Sequence, residues 1–129
     1  MDAAQALHEL TELSSQIESA VVLGADGSVL ASTTADPARS SALARSALEL
    51  VGAAFELNAQ PQEVTRVEVE LADGAIFVLR EGGRTIAATT GAQPTAGLVV
   101  YDLRTCLRSI VEPEPKKKRA ARKAKEDAA

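Results

Sequence analysis

Leu7, Leu10, Leu13 and Ile17 recur at three- and four-residue steps while Glu9, Glu12 and Glu18 fall off that line, so residues 3 to 18 read as an amphipathic helix. Asp2 stands where a side-chain acceptor would cap it. The apolar run 20–23, the turn-forming Gly24-Ala25-Asp26-Gly27 and the run 28–33 then read as a β-hairpin. Asp36-Pro37 is a helix start, because Asp accepts first-turn N–H groups and Pro fits the first helical position, where no donor is needed. This second helix is expected to run to about Leu57.

Val67, Val69 and Leu71 alternate with Arg66, Glu68 and Glu70, so residues 64–71 read as a half-exposed strand turned back by Ala72-Asp73-Gly74. The continuous apolar run 75–79 suits a strand covered on both faces. Glu81-Gly82-Gly83-Arg84 forms the next turn, residues 85–90 a fifth strand, and Gln93-Pro94-Thr95 opens a last helix. On it Val99, Leu103, Cys106, Leu107 and Ile110 share a face, and it ends before Pro113. The order is αββαβββα, an α+β fold. Tight turns pair strands one with two, three with four and four with five. Joining one to five centres the apolar strands, giving one five-stranded antiparallel sheet in the order 2-1-5-4-3.

Strand three is then an edge whose alternating Val and charged residues invite a partner strand, and a symmetric homodimer meets that need. The second helix carries two apolar stripes, Leu43, Ala47, Leu50, Ala54 and Ala44, Leu48, Val51, Phe55, beside a polar one of Arg45, Glu49, Gly52 and Glu56. Two apolar stripes imply two neighbours, the sheet and a second copy of the helix. Ala44, Leu48, Val51, Phe55, Val67 and Val69 are accordingly the expected dimer interface. The plainer alternative is a broad apolar face sunk between sheet and loops.

Charge divides the chain in two. Residues 1–111 hold seven arginines and no lysine against fourteen acids, a net of −7, whereas residues 112–129 hold seven basic groups against four acids, a net of +3. The change falls at Glu112-Pro113-Glu114-Pro115, after which no apolar side chain exceeds Ala. A domain over 1–111 and a disordered basic tail over 112–129 are expected. Lys116, Lys117, Lys118, Arg119, Arg122, Lys123 and Lys125 make that tail a solubilising end, a tether to membrane phosphates or another anionic surface, or a DNA-contacting arm. Neutralisation by the chain's own acidic body is a further reading. The acidic body repels phosphate backbones, so no specific nucleic-acid partner is expected.

One cysteine and one histidine exclude a disulfide framework and a Cys/His zinc site, and 2% aromatic content argues against stacking platforms. No stretch is long enough to span a membrane and the N-terminus lacks a signal-peptide pattern, so a cytoplasmic protein is expected. Gly82-Gly83 serves a hairpin rather than a phosphate cradle. His8 has no triad partners, Cys106 reads as a small hydrophobe, and Glu68, Glu70 and Asp73 lack the spacing of a calcium loop. No catalytic, cofactor or metal residue is assigned, and the chain is read as a non-enzyme.

The segments ELTELSSQIESAVVLGADGSVLAST (9–33), SSALARSALELVGAAFEL (40–57) and VEVELADGAIFVLREGGRTIAATT (67–90), in this element order, resemble the roadblock family of dynein light chains and their bacterial relatives. The resemblance implies a roadblock/profilin-like architecture with the second helix on one sheet face and the first and third on the other, dimerising through strand three and helix two. It also implies a partner, a small Ras-like GTPase, as in bacterial polarity and gliding systems and in conservon operons, where a sensor kinase is also present. Such relatives regulate or scaffold the GTPase, in some cases as activators, and bind no nucleotide themselves. Arg45, Glu49, Gly52 and Glu56 are the GTPase contact this suggests, from helical phase. Arg39, Arg45 and Arg66 are either fingers acting in trans or solvated surface residues.

Overall fold

The computed structural model describes residues 1–57 and 63–111. Eight elements follow in the expected order: α1 (Ala3–Leu13), β1 (Ile17–Leu23), β2 (Val29–Ser32), α2 (Pro37–Glu56), β3 (Arg66–Leu71), β4 (Gly74–Glu81), β5 (Arg84–Thr90) and α3 (Ala96–Ser109). The strands form one antiparallel sheet in the order β2-β1-β5-β4-β3.

Alternation along the strands sorts side chains onto two covered faces. Val22, Phe77, Leu79, Ile86 and Ala88 point to the face covered by α1 and α3, where Leu7, Leu10, Val99, Leu103 and Leu107 complete one core. Val21, Leu23, Val78 and Ala87 point to the other, covered by α2 through Ala44, Ala47 and Val51. Strand β4 is buried on both faces, as its continuous apolar run requires. At the β4–β5 turn Gly82 and Gly83 have φ of +62° and +80°, the pair of left-handed residues that a two-residue hairpin turn of matching twist demands.

The first helix is shorter than its periodicity suggests. It ends at Leu13, Ser14 donates its backbone N–H to Leu10 O at 2.9 Å, and Ile17 opens β1 instead of extending the helical face. Leu13 is consequently 75% exposed. Ser14 and Ser15 explain the stop, since their short hydroxyl side chains favour helix ends, and β-branched Ile17 suits a strand. Asp2 caps α1 as expected, its Oδ1 accepting from Gln5 N at 2.8 Å while Gln5 Oε1 accepts from Asp2 N. β1 and β4 are longer than expected, and β2 and β3 shorter.

Helices α1 and α3 run antiparallel. Val111 N donates to Met1 O at 2.9 Å at one end, and Thr95 N donates to Gln16 Oε1 at the other. The expected basic tail, residues 112–129, lies outside the described residues.

Candidate functional site

Helix α2 is fixed at its start by three features, of which the Asp36 cap and Pro37 were expected. Asp36 Oδ1 accepts from Ala38 N at 3.0 Å, Pro37 occupies the first turn, and Ser40 Oγ donates to Ser32 Oγ at 2.7 Å, tying the helix to the end of β2. Its sheet-facing line is Ser40, Ala44, Ala47 and Val51, all buried, flanked by half-buried Leu43 and Leu50. Small residues along that line let the helix sit close to the strands, which leaves larger side chains on its flanks.

Of the stripe assigned to a helix-helix contact, Ala44 and Val51 lie in the core, whereas Leu48 and Phe55 are 44% and 43% exposed. They lie seven residues apart on one outward flank. Arg45, Glu49, Gly52 and Glu56 are all exposed along the outer face. A Cβ added at Gly52 would meet nothing within 4 Å, so among the described residues no packing requires that glycine. Leu48 leans over the β1–β2 turn, its Cδ1 3.2 Å from the Cβ position of Gly27, whose φ is +84°. Beyond Phe55 an open cleft lies between the end of α2 and the sheet, bordered by Val51, Glu56, Val64 and Arg80.

Beside this helix runs the edge of the sheet. Among the described residues β3 pairs only with β4, in unbroken register from Arg66↔Leu79 to Leu71↔Gly74, and no described strand takes its outer row of backbone N–H and C=O groups. Val67 and Val69 oppose Val78 and Ile76, on the α2 face of the sheet. Arg66, Glu68 and Glu70 are exposed on the other, with Arg66 Nε 3.5 Å from Glu68 Oε1. The edge therefore offers apolar side chains on the side where α2 lies and charges opposite. Leu57 and Leu71, 88% and 53% exposed, extend the apolar surface. Sequence reading passed over both as element ends, although the alternation Val67, Val69, Leu71 already placed Leu71 on this face.

Elsewhere the chemistry is sparse. His8 Nε2 lies 3.3 Å from Glu12 Oε1 on exposed helix surface. Burial pushes the Cys106 thiol up to about 11, with the Glu9 carboxylate adding to the effect, so at neutral pH it is a protonated core side chain and not a nucleophile. Among the described residues no group of His, Cys, Asp and Glu could hold a metal ion, and no helix is long and apolar enough to cross a membrane. Arg39 and Arg45 are exposed on α2, and the tail residues Lys116 to Lys125 lie outside the described residues.

A Roadblock/LC7 domain crystal structure from Streptomyces avermitilis superposes with a TM-score of 0.74 at 24% identity, covering 84% of this chain and 94% of that one. Myxococcus xanthus MglB matches with a TM-score of 0.55 at 12% identity (81% and 84% covered), and the gliding protein MglB of Thermus thermophilus with 0.61 at 15% (81% and 82%). No curated protein matches. At these identities the structures attest the fold, with its 2-1-5-4-3 sheet between one helix and two. The sequence itself carries the assignment further: the family model of the Roadblock/LC7 domain matches residues 3–90, from the start of α1 to the end of β5, and the chain belongs to that family.

Proposed function

We propose that this protein is a non-catalytic, cytoplasmic homodimer that binds a small Ras-like GTPase and regulates its nucleotide cycle or scaffolds its location. The observation that carries the reading is the α2 surface: Leu48 and Phe55 stand uncovered beside an outer face of Arg45, Glu49, Gly52 and Glu56, next to the open edge of β3. An uncovered apolar flank beside an unpaired strand edge is a protein-binding surface rather than a small-molecule site. The second copy takes the β3 edge and the apolar flank of α2. The GTPase takes the charged outer face, where Gly52 leaves room for close approach. Family membership supports this division, because the roadblock relatives that the sequence resembles pair with GTPases of the Ras type. A sensor kinase in the same pathway fits this role but touches no surface assigned here.

The test is a titration of the full-length protein against a Ras-like GTPase encoded beside it, loaded with GDP or a GTP analogue, at low and moderate salt. Saturable binding that prefers one nucleotide state and is weakened at least tenfold by Arg45→Glu with Glu49→Arg is the expected result. Absence of binding, or binding that moderate salt abolishes for both nucleotide states, would overturn the reading.

A further inference from the structure

Opposite α2, the helical layer carries a groove that no element among the described residues fills. It runs between antiparallel α1 and α3, over Leu10, Leu13 and Cys106, with Glu9 on one rim and Asp102 on the other. Leu13 in its lining is 75% exposed, and Leu98 and Tyr101, four residues before Asp102 and Thr105 on α3 and so in phase with them, are 51% and 67% exposed. Among the described residues no ion pair engages Glu9 or Asp102, because the basic residues of α3, Arg104 and Arg108, turn to the other side and meet Glu81 at 3.9 and 2.8 Å.

The chain leaves the fold at one end of the same groove. Val111 is held beside Met1 by its N–H bond to Met1 O, and Met1 N donates to Ser109 O, so residue 112 starts where α1 begins and α3 ends. From there residues 116–125 supply seven basic groups and no acid. Lys116 lies five residues past Val111, a reach of up to about 17 Å. Asp102 lies nine residues back along α3, about 13 Å. A tail that doubles back therefore brings residues 116–119 alongside Glu9 and Asp102.

We infer that residues 116–125 dock in the α1–α3 groove of their own chain, their ammonium and guanidinium groups facing Glu9 and Asp102 and their aliphatic stems lying over Leu13, Leu98 and Tyr101. Lysine and arginine suit such a surface because their stems cover apolar area while their heads stay with charge, and Tyr101 offers a ring face to a cation. Tethering supplies the tail at high effective concentration, so contacts that are individually weak suffice. Salt opposes the docking by screening it. The bound tail would cover the helical layer and withhold its own charges from any other anionic surface. This inference stands apart from the GTPase reading, which concerns α2 and β3.

The composition of the chain supplies the probe. Residues 1–111 contain no lysine, so apart from the N-terminal amine every amine-to-carboxylate crosslink must start in the tail. Zero-length carbodiimide crosslinking of the unmodified full-length protein, mapped by mass spectrometry, is expected to join Lys116, Lys117 or Lys118 chiefly to Glu9 and Asp102 at 20 mM salt. Those crosslinks should fall at least fivefold at 0.5 M salt, and Glu9→Gln with Asp102→Asn should not redirect them to another single site. Crosslinks spread over the body's acids, or centred on Glu49, Glu56, Glu68 or Glu70, would overturn the inference. So would their absence, or crosslinks found only between differently isotope-labelled chains, which would assign the tail to a neighbouring molecule.

Discussion

Gly52 and Gly74 both sit inside regular elements, yet their surroundings demand opposite outcomes from the same substitution. A Cβ at Gly74 would run into the backbone carbonyl oxygen of Thr90, which cannot turn aside, whereas at Gly52 it would meet nothing within 4 Å. Gly74→Ala is expected to lower stability by about 1–3 kcal/mol, the range for forcing atoms into a filled space. Gly52→Ala should raise it by about 1 kcal/mol through helix propensity. Urea unfolding checks both, and a partner that approaches α2 closely would be revealed if Gly52→Ala weakened binding while strengthening the fold. Cys106 provides a pH signature at the same scale. Its thiol titrates near 11 in the folded chain and near its ordinary value of 9.0 unfolded, so its contribution to stability is fully present below about pH 9 and is lost as pH rises from 9 to 11. The sign follows from the proton count: between those values the folded chain binds more protons than the unfolded one, so stability falls with rising pH. In the reference frame of neutral pH, then, the neutral thiol's burial is complete below about pH 9 and is progressively lost above it. The urea midpoint should fall over that window, and Cys106→Ala should flatten the fall.

Helix α2 marks the boundary between what periodicity determines and what only packing decides. Ala44, Leu48, Val51 and Phe55 share one helical stripe, but the rotation of the helix sinks the first and third of these and leaves the other two outside. Helical phase fixes angles between residues and not the angle of the whole helix to the sheet, so the division of that stripe could not be read in advance. The end of α1 was hidden for a related reason. Ile17 continues the Leu7, Leu10, Leu13 spacing and equally well begins a strand, and β1's pairing with β5 decides in favour of the strand. By contrast the strand order was legible, because tight turns fix three of the four pairings, and joining β1 to β5 is the choice that sets the charge-alternating residues 66–71 at an edge and the more apolar 75–79 and 85–90 inside. The rotation of α2 is open to a direct check. Ala44→Asp places an unpaired charge in the core and should abolish cooperative unfolding or lower stability by several kcal/mol. Leu48→Asp should leave stability within about 1 kcal/mol of the parent on these surface-exposure grounds. Circular dichroism melts separate the two outcomes, and sedimentation of the Leu48→Asp protein reports whether that flank takes part in self-association.

At the scale of the whole molecule the sheet has two edges, and they are not equivalent. β2 is four residues long and its pairing with β1 is interrupted by a bulge, whereas β3 offers six residues in unbroken register. Symmetry then narrows how two β3 strands could meet. A two-fold axis that keeps both α2 helices on one side of a continuous sheet must pass through a residue that faces itself, so that side chains meet others on the same face. With the axis at Val67, Arg66 stands opposite Glu68 of the second copy; with the axis at Glu68, Arg66 stands opposite Glu70, but Glu68 then faces Glu68 of the second copy. The Val67 register places a cation directly across from an acid on each side of the axis and opposes no like charges, an arrangement that stabilises antiparallel pairs; the Glu68 register offsets the same gain with one like-charge pair. Arg66→Glu should therefore weaken self-association at least tenfold while leaving the unfolding midpoint of the single chain nearly unchanged, because Arg66 is exposed. Sedimentation equilibrium over a range of concentrations measures this. Adding Glu68→Arg and Glu70→Arg to the Arg66→Glu chain should restore the dimer under either register. If instead the mass in solution were indifferent to all three substitutions, the proposed homodimer would not form through β3.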